Sequence, residues 1–205
     1  MSRLLQQRID ASLSIEVWRF EESEAFFWSE LQLGEADEVA IRSLRLERRR
    51  LERLACRMAL LDLLRSLSLT PDLKGLTYDE HGKPHLEDLH ISFSHSGNYA
   101  AVALSTEYPV GIDIEVMGER VGRLYQRFLN EEELAECNTS DLSQLHYYWG
   151  AKEAIYKASR VDDPFEEITI RPSENRGIVH KKTGTERYRL YHQNIKGCCL
   201  VVARP

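Results

Sequence analysis

Two acidic side chains in one short apolar stretch, Gly111-Ile112-Asp113-Ile114-Glu115, are the first residues of this 205-residue sequence whose spacing could do chemistry. The stretch reads as a strand, and residues two apart on a strand share a face. Asp113 and Glu115 would then stand side by side with Ile112 and Ile114 packed behind them. Carboxylates that close repel each other unless a cation intervenes. A few hard oxygen donors suit Mg2+, which keeps several waters and shares the phosphate oxygens of a substrate. The competing reading is a surface strand that alternates core and solvent.

A second candidate lies in Trp149-Gly150-Ala151-Lys152-Glu153-Ala154-Ile155-Tyr156-Lys157. On a helix, Trp149, Glu153 and Lys157 fall at four-residue steps along one line. Leu145, Tyr148, Ala151, Ile155 and Ala158 form the apolar face beside it. Glu153 and Lys157 could supply a third metal ligand and a phosphate contact; they could equally be a surface ion pair worth a few tenths of a kcal/mol.

Phosphate contacts have further candidates. Ser94-His95-Ser96-Gly97 reads as the end of a strand running into a turn, where hydroxyls, backbone N–H groups and a histidine can donate to a phosphate. A Ser-His nucleophile is disfavoured there, because adjacent strand residues point to opposite faces and the G-x-S-x-G elbow is absent. Arg45, Arg48, Arg49, Arg50, Arg53 and Arg57 load one helical segment. Arg49, Arg53 and Arg57 stack at four-residue steps, which is unfavourable unless something anionic answers them. Guanidinium forks match phosphate oxygens, and Glu47 and Glu52 offset part of the charge. Lys83, between Gly82 and Pro84, is presented on a constrained turn.

The elements that must position these residues follow from periodicity and turn chemistry. Leu13 to Phe20 alternates as a half-buried strand, and a short helix is expected over Ser23 to Leu31. The longest helix is expected over Leu44 to Leu67, with Leu51, Leu54, Met58, Leu61 and Leu64 as its core stripe. Strands are expected at His90 to Phe93, Tyr99 to Leu104 and Val110 to Val116, then helices over Glu119 to Glu136 and Leu142 to Ser159. Strands return near Ile168-Ile170, Ile178-His180, Tyr188-Tyr191 and Cys198-Val202. This order predicts an α+β chain in two halves, residues 1–108 and 109–205, with the break near Glu107-Tyr108-Pro109.

Bulk properties narrow the classes. The composition is 42% hydrophobic and 29% charged, that of a globular chain. A formal net charge of −6 disfavours a nucleic-acid binder that works through bulk positive field. Cys56, Cys137, Cys198 and Cys199 lack C-x-x-C spacing, so free buried thiols in a reducing cytoplasm are expected rather than zinc or disulfides. No stretch is long and apolar enough for a membrane span, and Met1 to Asp10 has no apolar leader segment.

Taken in order, Gly82-Lys83-Pro84, Phe93-Ser94-His95-Ser96, Gly111 to Glu115 and Trp149 to Lys157 resemble the Sfp-type 4'-phosphopantetheinyl transferases. Arg48-Arg49, Leu51-Glu52 and Arg57 are similar to that family's amino-terminal helix. The resemblance implies a pseudo-dimer of two similar α+β halves in one chain, with coenzyme A in the cleft between them and a monomeric state. It assigns the amino-terminal half to the nucleotide and the carboxy-terminal half to metal and catalysis. It further implies Mg2+ held by Asp113, Glu115 and Glu153, and Glu153 and Lys157 in the catalytic role. Arg48, Arg57, Lys83, Pro84, Ser94, His95 and Lys152 are placed around coenzyme A. The reaction implied is transfer of phosphopantetheine to a serine of an apo acyl- or peptidyl-carrier protein. A metal-dependent nucleotide phosphohydrolase and a non-catalytic coenzyme A or carrier-binding module are the alternatives.

Overall fold

The computed structural model describes residues 2–159 and 165–205. The chain divides into two compact units, Met1–Glu107 and Tyr108–Pro205, each with its own core.

In the first unit, β1 (Ser2–Arg8) and β2 (Leu13–Arg19) are followed by α1 (Glu24–Glu30), α2 (Glu35–Arg42) and α3 (Glu47–Ser66), then β3 (Thr77–Tyr78), β4 (Pro84–Leu86), β5 (Leu89–Ser96) and β6 (Tyr99–Ser105). The strands form one antiparallel sheet in the order β1-β2-β6-β5-β4-β3. The helix α3 lies on this sheet through Leu54, Leu60, Leu61 and Leu64, against Ile91, Val102 and Leu104. Ser23 starts α1 by accepting a hydrogen bond from the Phe26 N–H, as an N-cap serine does.

The strand β1 escaped the sequence reading. It is polar and largely exposed, and a register shift between Arg3 and Leu5 breaks its alternation. Its neighbour β2 is buried on both faces rather than half-buried: Ser14 and Glu16 are enclosed along with Leu13, Ile15 and Val17. Glu16 is 0% exposed and accepts hydrogen bonds from the Trp18 indole and from Gln6, with Arg3 at 3.5 Å. Burial raises its carboxyl to about 8.

That shift has a sign. Because the folded carboxyl holds its proton more tightly than the unfolded one, the stability it contributes is complete below the unfolded value near 4.5 and is lost as pH rises through about 8. Glu16→Gln removes the titration. Urea unfolding of both proteins at pH 5 and pH 9 should show wild type losing about 3 kcal/mol relative to the variant. A pH-independent difference overturns this account.

In the second unit, β7 (Gly111–Val116), α4 (Glu131–Glu136), α5 (Leu142–Ser159), β8 (Ile168–Arg171), β9 (Arg176–Lys181), β10 (Gly184–Ile195) and β11 (Cys198–Arg204) follow in order. The antiparallel sheet runs β7-β11-β10-β9-β8, and α5 packs across it through Leu145, Ala151, Ala154 and Ile155. The helix expected over Glu119 to Glu136 is instead two 3-10 turns, Val121–Arg123 and Tyr125–Arg127, followed by the short α4. Gly122 weakens a continuous helix, and Asn130 starts a new one through a reciprocal capping box with Glu133. All four cysteines are free and buried. Among the described residues no helix is long and apolar enough to cross a membrane.

Candidate active site

The acidic strand and the Glu-Lys helix meet. Pairing of β7 with β11 sets Asp113 opposite Val201 and Glu115 opposite Cys199, and both partners belong to the core beneath α5. The two carboxylates therefore share the face that α5 covers. Close approach of helix and strand depends on Gly111: a Cβ there would lie 1.8 Å from the Ala154 carbonyl oxygen and 2.8 Å from the Ala158 nitrogen. With no side chain in between, α5 rests directly on the backbone of β7. Gly150 helps in the same way, its Cα facing Asp113 and Val201.

This contact brings Lys157 onto Asp113. The ammonium donates to Asp113 Oδ1 at 2.7 Å and to the Ile112 carbonyl at 3.0 Å. Asp113 is 3% exposed, while the Lys157 side chain keeps 27% exposure and so can still turn toward solvent. Glu153, one helical turn before Lys157, is half-buried. Burial raises its carboxyl above the ordinary range, Lys157 pulls it down, and the neighbouring Asp113 charge pushes it up. Asp113, Glu153 and Lys157 are thus one electrostatic cluster.

Glu115 stands two residues further along β7 and lines a cavity of about 230 Å3 with Trp149, His146, Phe128 and Arg120. Trp149 is held edge-on between Phe128 and Phe165, both with ring centroids 5.3 Å away. Among the described residues no three His, Cys, Asp or Glu side chains form a ready-made metal cage. Lys157 is the group seen bonded to Asp113. The donors nevertheless suit magnesium in kind: the carboxylates are hard oxygen ligands, and repulsion between Asp113 and Glu153 is what a divalent cation relieves.

Lys152, expected beside coenzyme A, is placed elsewhere. Its side chain is 0% exposed, with the ammonium 2.7 Å from Glu133 and donating to the Phe165 carbonyl at 2.9 Å. Glu133 in turn accepts from the Ile170 N–H at 2.7 Å and the Asn130 N–H at 2.9 Å. Lys152 faces the core side of α5 and joins α4, α5 and β8.

A second group of expected residues gathers in the first unit. Arg48 donates to Asn98 Oδ1 at 3.0 Å and to the Gly97 carbonyl, which fastens the β5–β6 turn to α3. Glu52 lies within reach of Arg48 at 3.2 Å, Arg49 at 3.3 Å and His95 Nδ1 at 3.5 Å. Glu52 therefore answers Arg48 and Arg49 within the chain. The turn expected over Ser94 to Asn98 is tighter than anticipated: β5 continues through Ser96, and Gly97 takes the left-handed backbone at φ 55°. His95 looks toward α3, whereas buried Ser94 pairs with Ala101 on the other face.

Arg57, also expected beside coenzyme A, lies enclosed in the first unit. It is 1% exposed and makes a two-pronged ion pair with Asp37, at 3.0 and 2.6 Å, while donating to the Tyr78 hydroxyl. Its guanidinium stacks over Tyr78 and Phe93. So enclosed, it ties α2, α3, β3 and β5 together and has no open side for a phosphate. Sequence reading missed Asp37, which lies 20 residues away in the chain. By contrast the Asn130-x-x-Glu133 spacing carried a readable capping signal.

Lys83 and Pro84 occupy a turn built on Asp79. Asp79 Oδ1 accepts the backbone N–H of His81 at 3.0 Å and of Lys83 at 2.9 Å, with His85 at 3.1 Å from Oδ2. These bonds, the Lys83 backbone donor first, hold the Asp79 carboxyl down to about 2. Pro84 is buried at the start of β4, and Lys83 is half-buried beside it.

Residues 109–202 match the profile of the 4'-phosphopantetheinyl transferase superfamily. The chain is 27% identical over 124 residues to 4'-phosphopantetheinyl transferase gsp of Aneurinibacillus migulanus, covering 57% of this chain and 52% of that one. It is 31% identical over 101 residues to 4'-phosphopantetheinyl transferase Sfp of Bacillus subtilis, 45% of each chain. A third relative, 4'-phosphopantetheinyl transferase AcpT of Salmonella typhimurium, is 35% identical over 104 residues, 46% of this chain and 54% of that one. The chain thus spans about half the length of the relatives it matches. The resemblance carried by the motifs is found again across the second unit.

Proposed function

We propose that this chain is a 4'-phosphopantetheinyl transferase, moving the phosphopantetheine arm of coenzyme A to a serine of an apo-carrier protein. The observation that carries this reading is the joining of Asp113 to Lys157 and Glu153, from two segments some 40 residues apart, through the strand–helix contact at Gly111. A pseudo-dimer of two halves with coenzyme A in a cleft between them belongs to the same proposal. Its support is that each unit separately forms an antiparallel sheet with a long helix on one face.

Asp113, Glu115 and Glu153 would hold Mg2+, which supplies charge neutralisation at the diphosphate. The protein's own groups do the rest by position and charge. The carrier serine oxygen bonds to the phosphorus bearing the pantetheine arm, and the bridging P–O bond breaks to release 3',5'-ADP. Glu153 accepts the serine proton; a carboxyl raised by burial is a better base than an exposed one. Lys157, partly exposed beside Asp113, meets the charge growing on the departing phosphate. Arg48, His95 and Lys83 hold the nucleotide, the first two as a pair around Glu52. The cytoplasm, supported by four buried thiols outside any disulfide, and a monomeric state complete the proposal.

Incubating the protein with coenzyme A, Mg2+ and candidate apo-carriers, then weighing the carriers by mass spectrometry, tests it. One added phosphopantetheine on a carrier serine is the expected result. Coenzyme A cleaved while every carrier stays unmodified would refute the reading.

A further inference from the structure

A net-negative chain gathers a row of positive charge at one end of the second unit's sheet. Cross-strand pairing sets Arg171 opposite Arg176, Arg176 opposite Arg189, and Arg189 opposite Arg204. Directly paired residues point to the same face, so four arginines form one row across β8, β9, β10 and β11. Arg187, two residues before Arg189 on β10, shares that face. The α5 side of these strands is taken by Tyr188, Leu190 and Gly177, so the row lies on the opposite side. Arg176, Arg187, Arg189 and Arg204 line an open depression of about 390 Å3.

Like charges directly opposite one another destabilise a sheet, so such a row needs a counter-charge. Part of it is internal. At the β8 end, Arg171 is answered by Glu132 and Glu136, which stand four apart on α4. Arg176 reaches Glu174 at 2.9 Å, and the Arg204 guanidinium lies over the Tyr108 ring at 5.0 Å. Neither Arg187 nor Arg189 has a carboxylate within ion-pair distance among the described residues, and both are exposed.

We infer that the row from Arg176 to Arg204, with Arg187, docks an acidic helix of a partner protein. The geometry selects that occupant. Strands repeat about every 4.8 Å, and carboxylates four apart on a helix repeat about every 5–6 Å. A helix laid across β9, β10 and β11 therefore meets one guanidinium with each turn. Two carboxylates four apart on α4 already reach one guanidinium of the row, that of Arg171. A single phosphate is too small for a row about 10 Å wide. Because the whole chain is acidic, the row would orient a negative partner that the remaining surface repels. This inference goes beyond the proposed transfer reaction and does not depend on it.

The test uses the full chain and two fluorescein-labelled helical peptides of about 20 residues with equal composition. One carries glutamates at i, i+4, i+8 and i+12; the other has the same glutamates spread around the helix. Fluorescence anisotropy should show the one-faced peptide binding at least about fivefold more tightly, with Arg187→Glu/Arg189→Glu weakening it at least about tenfold. Arg187→Gln/Arg189→Gln, a gentler change, should also weaken it, and circular dichroism will show whether each variant is folded. Equal binding of the two peptides overturns the inference. So does binding unmoved by the glutamine variant, or binding of inorganic triphosphate where neither peptide binds.

Discussion

Asp113→Asn should lower carrier modification by at least about a thousandfold while the protein stays folded, since one electrostatic or ligating group in such a site is commonly worth that much. The amide keeps the shape of the carboxylate but removes the charge that receives Lys157 and acts on Glu153. The fold should tolerate the change because Lys157 keeps its bond to the Ile112 carbonyl and is partly exposed. Labelling of an apo-carrier with a fluorescent coenzyme A analogue reads the turnover, and far-ultraviolet circular dichroism reads the fold. Near-native turnover in a folded variant would remove Asp113 from the chemistry. Collapse of the fold would make its contact with Lys157 structural.

Lys152→Met should act on the opposite property. Breaking a buried ion pair by removing one partner leaves an uncompensated charge and costs about 3–5 kcal/mol. Here that charge is Glu133, whose side chain is 0% exposed and which also holds backbone donors of α4 and β8. Thermal unfolding should fall by about 10 °C. The double variant Lys152→Met/Glu133→Gln should regain part of the loss, because no bare carboxylate is left buried. An unchanged melting temperature with a raised KM for coenzyme A would put Lys152 back beside the substrate.

These two lysines, five residues apart on one helix, show where sequence reading succeeds and where it stops. Lys157 lies on the line of Trp149 and Glu153, and helical spacing alone places it with Glu153. Lys152 is adjacent to that line in the chain but turns inward, and its partner sits on α4, a helix the sequence reading had merged into a longer one. The position of Asp113 and Glu115 was legible because alternation in β7 is regular. What brought them to α5 was the missing side chain of Gly111, which no periodicity expresses. Arg57 followed the same pattern as Lys152: its helical face was legible, but its carboxylate was 20 residues distant and declared by no local motif. The cross-strand arginine row was likewise invisible until strand register aligned residues from four segments.

Backbone-to-backbone contact at Gly111 also bears on how this sequence can change. Distance between the two halves of the acidic cluster is fixed by main chain on one side and main chain on the other, with no side chain acting as an adjustable spacer. Random mutation can therefore vary the rim around Trp149 or Arg120 by degrees, but at position 111 it meets a step. Directed evolution toward new substrates should draw its successful variants from that rim.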